Sequence, residues 1–292
     1  MTAKDQAAPL RELARNQRPA DRPGPPLPGA VADQLTSLAV VSGKGGVGKS
    51  LLTLNLGLAL SDLGLRVCGL DADLGMANLD TLLGITPRRG LPEVVRGEAS
   101  LEDALVRVEE GFLLLPGCSG IAELTELSPS RYERLRTELG KLVRLSDYLL
   151  VDCSAGASPS TLRLAGAADQ LILVTTPEPT ALVDAYSFLK ILLSTRPTSR
   201  IHLVINLARS YEEGTSTYQR LSSVIGRHLG VSATLLGVVP RSRGVDRAVR
   251  TQRPLLRLAP SDPAAVAIRQ MAARLSGKSL TRRGGFLSRL FG

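Results

Sequence analysis

Gly43-Lys44-Gly45-Gly46-Val47-Gly48-Lys49-Ser50 is the stretch on which the reading of the chain turns. It satisfies the spacing G-x-x-x-x-G-K-[ST], with an apolar run, Leu38–Val41, before it and a helical period, Lys49–Asp62, after it. Glycines allow successive backbone N–H groups to turn inward around phosphate oxygens. The N-terminus of the following helix adds its dipole. Lys49 supplies a point charge for the outer phosphates, and the Ser50 hydroxyl is placed to ligate Mg²⁺. The octet therefore reads as a cradle for a nucleoside polyphosphate.

Outward from this loop, short apolar runs alternate with helical periods. Candidate strands are Leu38–Val41, Arg66–Leu70, Phe112–Leu115, Tyr148–Val151, Leu171–Val174, His202–Ile205 and Leu235–Val239. They are continuously apolar, as strands covered on both faces should be. Candidate helices include Lys49–Asp62, Pro129–Arg144, Thr180–Ser194, Thr215–Leu229 and Pro263–Leu275. Strand–helix alternation predicts an α/β fold: a mostly parallel, doubly wound sheet of about seven or eight strands flanked by helices.

The 292 residues suffice for one large domain with a full core. Aromatics make up only 3% and Trp is absent, which disfavours a base-stacking surface for single-stranded nucleic acid. The formal net charge of +9 suits an anionic partner such as nucleotide, nucleic acid or acidic lipid, or simply an Arg-rich solvated surface. Cys68, Cys118 and Cys153 form no C-x-x-C pair, so no disulfide framework is implied and a reducing cytosol fits. Met1–Leu10 carries no long apolar run, and no stretch approaches the ~20 apolar residues of a membrane span. Residues 1–36 differ from the body: Pro19, Pro23, Pro25, Pro26 and Pro28 make an extended linker that tethers the N-terminal segment without packing it.

Two further motifs surround the loop. Asp71-Ala72-Asp73 follows the second strand, where carboxylates face the ligand crevice of such a sheet. Asp73 is able to accept a hydrogen bond from an attacking water and hold it in line, which is most of what phosphoryl transfer requires. Tyr148-Leu149-Leu150-Val151-Asp152 is an apolar strand ending in an acid that would hold a Mg²⁺ water. Asn206 ends another strand, and its amide can donate and accept in one plane, matching the N6 and N7 of adenine. Arg209 lies just beyond it. The sequence contains no N/T-K-x-D motif, which is common among guanine-specific loops.

The second lysine, Lys44, makes the octet resemble the deviant Walker A loop of the MinD/ParA family. That resemblance covers roughly Ser37 to Leu275 and implies an ATPase using ATP and Mg²⁺. It implies that Lys44 crosses a homodimer to the partner's nucleotide when ATP is bound. It makes Asp73 the switch I carboxylate, Asp71 a support for Mg²⁺ through water, and Asp152 the Walker B acid. Cys153-Ser154-Ala155-Gly156 resembles switch II, and Pro240 would lie beside the adenine ring.

Both ends sharpen the resemblance. Phe286, Leu287, Leu290 and Phe291 share one helical face, with Arg282, Arg283 and Arg289 around it. This is similar to the membrane-targeting tail of MinD and implies an anchor for an anionic membrane surface, strengthened when a dimer presents two. Asp5-Gln6-Ala7-Ala8-Pro9-Leu10-Arg11 resembles the DQAxxLR motif of the FlhG (FleN, YlxH) subfamily. In that subfamily the segment binds and stimulates the GTPase FlhF, with Gln6 near the nucleotide. Glu178-Pro179-Thr180, Asp184-Ala185-Tyr186 and Val249–Leu255 also read like counterparts there.

The organisation implied is an N-terminal FlhF-activating motif and linker over 1–36, a MinD-like ATPase domain over 37–276, and an amphipathic membrane-targeting helix over 277–292. The resemblance implies a regulator of flagellar number and placement, cytoplasmic and peripheral on the inner face of the cell membrane. A FleQ-like transcription factor and a flagellar switch-complex protein are further partners it suggests. No specific nucleic acid is expected. The competing expectations are a MinD placing the division site, a ParA-type partition ATPase supported only by the net charge, an iron–sulfur carrier using Cys118 and Cys153, and a scaffold that binds ATP without turning it over.

Overall fold

The computed structural model describes residues 18–19, 35–73, 79–117, 129–195 and 200–277. In chain order these form β1 (Arg18–Pro19), β2 (Thr36–Val41), α1 (Lys49–Asp62), β3 (Val67–Ala72), α2 (Leu79–Leu83), β4 (Ile85–Thr86), α3 (Leu91–Arg96) and α4 (Leu101–Ala104). Next come β5 (Val106–Glu109), β6 (Phe112–Leu115), α5 (Pro129–Gly140), α6 (Leu142–Leu145), β7 (Tyr148–Cys153), α7 (Pro159–Ala167), β8 (Gln170–Thr175) and α8 (Pro179–Thr195). The rest is β9 (Ile201–Ala208), α9 (Tyr211–Leu229), β10 (Ala233–Pro240), α10 (Arg243–Arg250), α11 (Leu255–Leu258) and α12 (Pro263–Ser276).

Eight strands form one sheet in the order β10-β9-β8-β2-β7-β3-β6-β5. All neighbours are parallel except β5, which runs antiparallel to β6 at one edge. This is the doubly wound α/β sheet that the alternation predicted. Successive residues of each central strand point to opposite faces, and both faces are dry. Ala39, Val41, Leu70, Leu149, Val151, Leu171 and Leu173 pack one way. Leu38, Val40, Phe112, Leu114, Leu150, Ile172 and Val174 pack the other way, against α1 and α12. Two-sided burial explains why these strands are continuously apolar.

Several boundaries differ from the expectation. β5 alternates Val106-Arg107-Val108-Glu109 and is only half-buried, so a search for continuous apolar runs passes over it. The helix expected over Pro129–Arg144 is divided by Gly140-Lys141 into α5 and α6. α9 begins one turn before the expected Thr215, because the Ser210 hydroxyl caps it by accepting from the Glu213 N–H at 3.2 Å. Gly214 sits inside that first turn because any Cβ there would run into the Val238 side chain. Arg18–Pro19 pairs in parallel with Ile85–Thr86, a contact with the domain made within the Pro-rich segment expected to stay unpacked.

Arg66 fastens the bases of β3 and β7. Its N–H donates to Asp147 Oδ2 at 2.8 Å, its Nη2 donates to Oδ1 at 2.7 Å, and its Nη1 donates to the Arg144 carbonyl at 2.8 Å. Burial alone would raise the Asp147 carboxyl, yet the hydrogen bonds and charge of Arg66 hold it below the ordinary carboxylate range. A depressed folded-state value means that this stabilisation is present above the ordinary carboxylate pKa and is lost as pH falls through the depressed one. Asp147→Asn is expected to cost about 2 kcal/mol at neutral pH. In denaturant titrations, the gap to the parent protein should narrow as pH falls below about 4.

Candidate nucleotide site

The turn from β2 into α1 is built by two glycines in the left-handed region, Gly46 with φ 78° and Gly48 with φ 85°. Gly48 is the N-cap of α1, and no side chain caps that helix. The first N–H groups of α1 thus receive no side-chain cap among the described residues and lie at the loop, which suits an anion. No larger residue fits at two loop positions. A Cβ on Gly43 would strike the backbone of Asp184 and Ala185, and one on Gly48 would strike the Asn206 amide. The Ser42 hydroxyl donates to the Lys44 carbonyl at 2.9 Å and pins the entry to the loop.

Strand register assembles the charged groups. β2 and β7 are neighbours, and Val40 stands opposite Asp152. β3 lies on the other side of β7, and Asp71 stands opposite Asp152. Lys49, Asp71, Asp73 and Asp152 thus converge at the carboxyl ends of three adjacent strands, where an open α/β sheet binds its ligand. Lys49 Nζ lies 3.5 Å from Asp152 Oδ1, and the two side chains are 8% and 0% exposed. The Thr53 hydroxyl is 3.1 Å from the same oxygen. Asp152 Oδ2 is buried and accepts no hydrogen bond from the described residues. Burial pushes the Asp152 carboxyl above its ordinary range, and the Lys49 ammonium works against that shift. The Ser50 hydroxyl stands beside the same carboxyl. A buried carboxylate oxygen without a donor among the described residues, beside a serine hydroxyl, offers the oxygen ligands that a hydrated Mg²⁺ takes, and the adjacent helix N-terminus suits the phosphates that such an ion accompanies.

The aspartates after β3 divide their work. Asp71 Oδ1 accepts from the Asp73 N–H at 3.1 Å, and Oδ2 accepts from the Leu79 N–H at 3.0 Å. Asp71 thus holds the backbone of the turn that carries Asp73. The Asp73 carboxylate accepts from the Ser154 hydroxyl at 3.0 Å. Lys44 lies at the surface, with its Nζ 3.2 Å from Glu178 Oε2 and 3.4 Å from Thr180 Oγ1.

The base-side residues separate. Asn206 is buried and its Nδ2 donates to the Val47 carbonyl at 2.7 Å, so it braces the loop. Arg209 projects outward, 86% exposed, with Nε 3.8 Å from Glu213 Oε1. Pro240 ends β10 beside Ala208 of β9. It also lines a cavity of about 370 Å³ between β10 and α12, with Tyr211, Val238, Pro263 and Val266. Gln6, Cys118 and the residues of the C-terminal face, Phe286, Leu287, Leu290 and Phe291, lie outside the described residues. Cys153 packs in the core, and burial pushes its thiol up to about 12. A fully enclosed thiol offers no surface at which a cluster could be shared between two subunits, which weighs against the iron–sulfur expectation.

Two residues contribute beyond the roles expected: Thr53, which the sequence reading does not name, and Ser154, which it names only within the segment that resembles switch II. Thr53 lies four positions after Lys49 on the same helical face, a spacing legible in sequence. Ser154 meets Asp73 only through the pairing of β3 with β7, which no local pattern reveals.

A left-handed glycine turn, an uncapped helix, a buried lysine and acids at adjacent strand ends define a P-loop nucleotide-binding protein. The CobQ/CobB/MinD/ParA nucleotide binding domain matches residues 38–255. The chain is 38% identical over 238 residues to the antiactivator FleN of Pseudomonas aeruginosa, covering 82% of this chain and 85% of that protein. It is 35% identical over 243 residues to the flagellum site-determining protein YlxH of Helicobacter pylori, covering 82% of each. The solved structure of the septum site-determining protein MinD complexed with Mg-ADP from Pyrococcus horikoshii matches with a TM-score of 0.67 at 27% identity, over 83% of this chain and 96% of that one. The chain belongs to the MinD/ParA family of nucleotide-binding proteins, with FleN and YlxH of the FlhG group among its relatives.

Gly48→Ala forces a left-handed alanine and displaces Asn206, so it should cost about 1–3 kcal/mol of stability. Thermal unfolding without nucleotide measures that loss. Titration with a fluorescent ATP analogue should show binding weakened well beyond what the stability loss explains.

Proposed function

We propose that the chain is a Mg²⁺-dependent switch ATPase that dimerises around ATP and regulates flagellar number and placement. The observation that carries the ATPase reading is the convergence of Lys49, Asp73 and Asp152 on the glycine loop through the β2–β7–β3 register. The flagellar reading is supported by the relatives FleN and YlxH and by the DQAxxLR-like segment around Gln6.

In this mechanism the loop N–H groups and the α1 N-terminus bind the polyphosphate, and Lys49 neutralises its outer oxygens. Ser50 and Asp152, with Asp71 behind them, would hold Mg²⁺, which screens charge on the phosphates when bound. Asp73 accepts a hydrogen bond from the attacking water and fixes its line of approach. Asn206 and Pro240 flank the base and Arg209 lies at its rim. Lys44 leaves Glu178 and crosses to the nucleotide of the second protomer. The dimer presents two C-terminal faces of Phe286, Leu287, Leu290 and Phe291 to an anionic bilayer, and the N-terminus stimulates the GTPase FlhF. A FleQ-like transcription factor and a switch-complex protein are the downstream partners on this reading. Division-site placement by the same chemistry is the alternative, and the likeness to septum site-determining MinD supports it.

Asp73→Ala should lower ATP turnover by about 100-fold, equivalent to ~2.7 kcal/mol, while ATP still binds. That variant should accumulate as an ATP-loaded dimer in analytical ultracentrifugation and pellet with anionic vesicles. Lys44→Ala should remain monomeric and unpelleted with ATP. Turnover unaffected by Asp73→Ala would sink the catalytic assignment.

A peptide spanning residues 1–21 should raise GTP turnover by the cognate FlhF, and Gln6→Ala should abolish the effect. Stimulation that survives Gln6→Ala removes the amide from the mechanism. No stimulation by either peptide removes the N-terminal activity from the proposal.

A further inference from the structure

We infer that Ser154 is a positioning residue for hydrolysis, holding the Asp73 carboxylate in the orientation from which it aims the attacking water. This inference rests on the catalytic role proposed for Asp73.

The geometry follows from strand pairing. β3 and β7 run parallel, with Asp71 opposite Asp152 and Ala72 opposite Cys153. One rung further, just beyond both strands, Asp73 meets Ser154. The Ser154 Oγ lies 3.0 Å from Asp73 Oδ1 and 3.4 Å from the Ala72 carbonyl oxygen. A hydroxyl carries one proton, so it donates to one acceptor at a time. The shorter contact, to a charged oxygen, is the stronger one.

Two bonds then fix two different parts of Asp73. Its N–H donates to Asp71 Oδ1, which sets the backbone. Its carboxylate accepts from Ser154, which sets the side-chain torsions. A short carboxylate side chain rotates freely about its last bond unless a neighbour holds it. Catalysis by positioning is sensitive to such freedom, because a misplacement of ~1 Å can cost about 10²-fold in rate.

Ser154 is itself held at both sides. Two residues earlier, Asp152 is gripped by Lys49 and Thr53 of α1. Two residues later, the Gly156 N–H donates to the Ser42 carbonyl at 2.9 Å, where the chain enters the phosphate loop. The strap 152–156 is therefore anchored to the loop and to its helix, and Ser154 transmits that placement to Asp73.

The test is steady-state ATP hydrolysis by the full chain with Ser154→Ala, Ser154→Thr, Asp73→Ala and the Ser154→Ala/Asp73→Ala double variant. Ser154→Ala should lower kcat about tenfold with KM for ATP unchanged. Ser154→Thr, which keeps the hydroxyl, should retain most of the parent kcat. The double variant should turn over no more slowly than Asp73→Ala alone, read under single-turnover conditions with enzyme in excess. A loss of the same factor in both backgrounds, a loss carried by KM, or failure of Thr to restore kcat would overturn the inference. Asp73→Ala impaired while Ser154→Ala is normal overturns the Ser154 role alone. Normal turnover by Asp73→Ala removes the catalytic reading and this inference together.

Discussion

The buried pair Lys49–Asp152 is the constraint around which the site is arranged. Its atoms are 3.5 Å apart, and the side chains are nearly without solvent contact. Burying two charges repays its desolvation penalty only with good geometry and full hydrogen bonding. Neither condition holds, since the contact is long and Asp152 Oδ2 has no donor among the described residues. Burial pushes the Asp152 carboxyl above its ordinary range, against the opposing pull of Lys49, Ser50 and Thr53. As a device for stability alone the pair is poor. On the proposed reading it is the floor of a polyphosphate and Mg²⁺ site, where the ligand would supply what each partner lacks: phosphate oxygens for the ammonium and a cation shell for the carboxylate.

The remainder of the sheet keeps that pair in place. β7 must lie beside β2 for Asp152 to meet a lysine at the start of α1, and β3 must lie beside β7 for Asp71 and Asp73 to join them. α1 packs closely on the sheet. Gly57 lies in its middle, over the Phe112 ring, where a Cβ would come within 2.6 Å of Cζ. A glycine inside a helix costs about 1 kcal/mol against alanine, and here that loss allows the helix to settle onto a fully buried aromatic ring. At the far ends of the same strands Arg66 clamps β3 to β7, so the register that unites the acids is secured away from the site.

Much of this was legible before any coordinates, and the parts that were not share a cause. The glycine loop is local: eight consecutive residues contain its geometry, and its context of strand and helix follows from periodicity. The acids after β3 and β7 were legible because each ends an apolar run. What a given acid touches was less legible. Asp71 serves backbone N–H groups at Asp73 and Leu79, and Asn206 braces Val47, because both contacts depend on which strand ends meet. β5 was missed because half-burial gives it an alternating pattern with Arg107 and Glu109 in it. α9 begins before the expected Thr215, and the Gly214 inside its first turn is explained only by the Val238 side chain packed against it.

The contact of Lys44 with Glu178 and Thr180 bears on how such a site switches. Both charged side chains are about half exposed, at 42% and 54%. An ion pair in that setting contributes only ~0–1 kcal/mol. A resting partner of that strength keeps the lysine ordered at the rim but yields to a denser anion. The polyphosphate of a second protomer is such an anion. On the proposed reading, the force that draws Lys44 across would come from the nucleotide of the facing protomer, with little opposition from the lysine's own chain. Gly43, pressed against the backbone of Asp184 and Ala185, keeps the loop close to the start of α8, so the lysine rests where Glu178 can hold it. The loop thus combines a buried lysine fixed by its acid with a surface lysine held loosely enough to be exchanged, and the difference between them is a difference in solvent exposure.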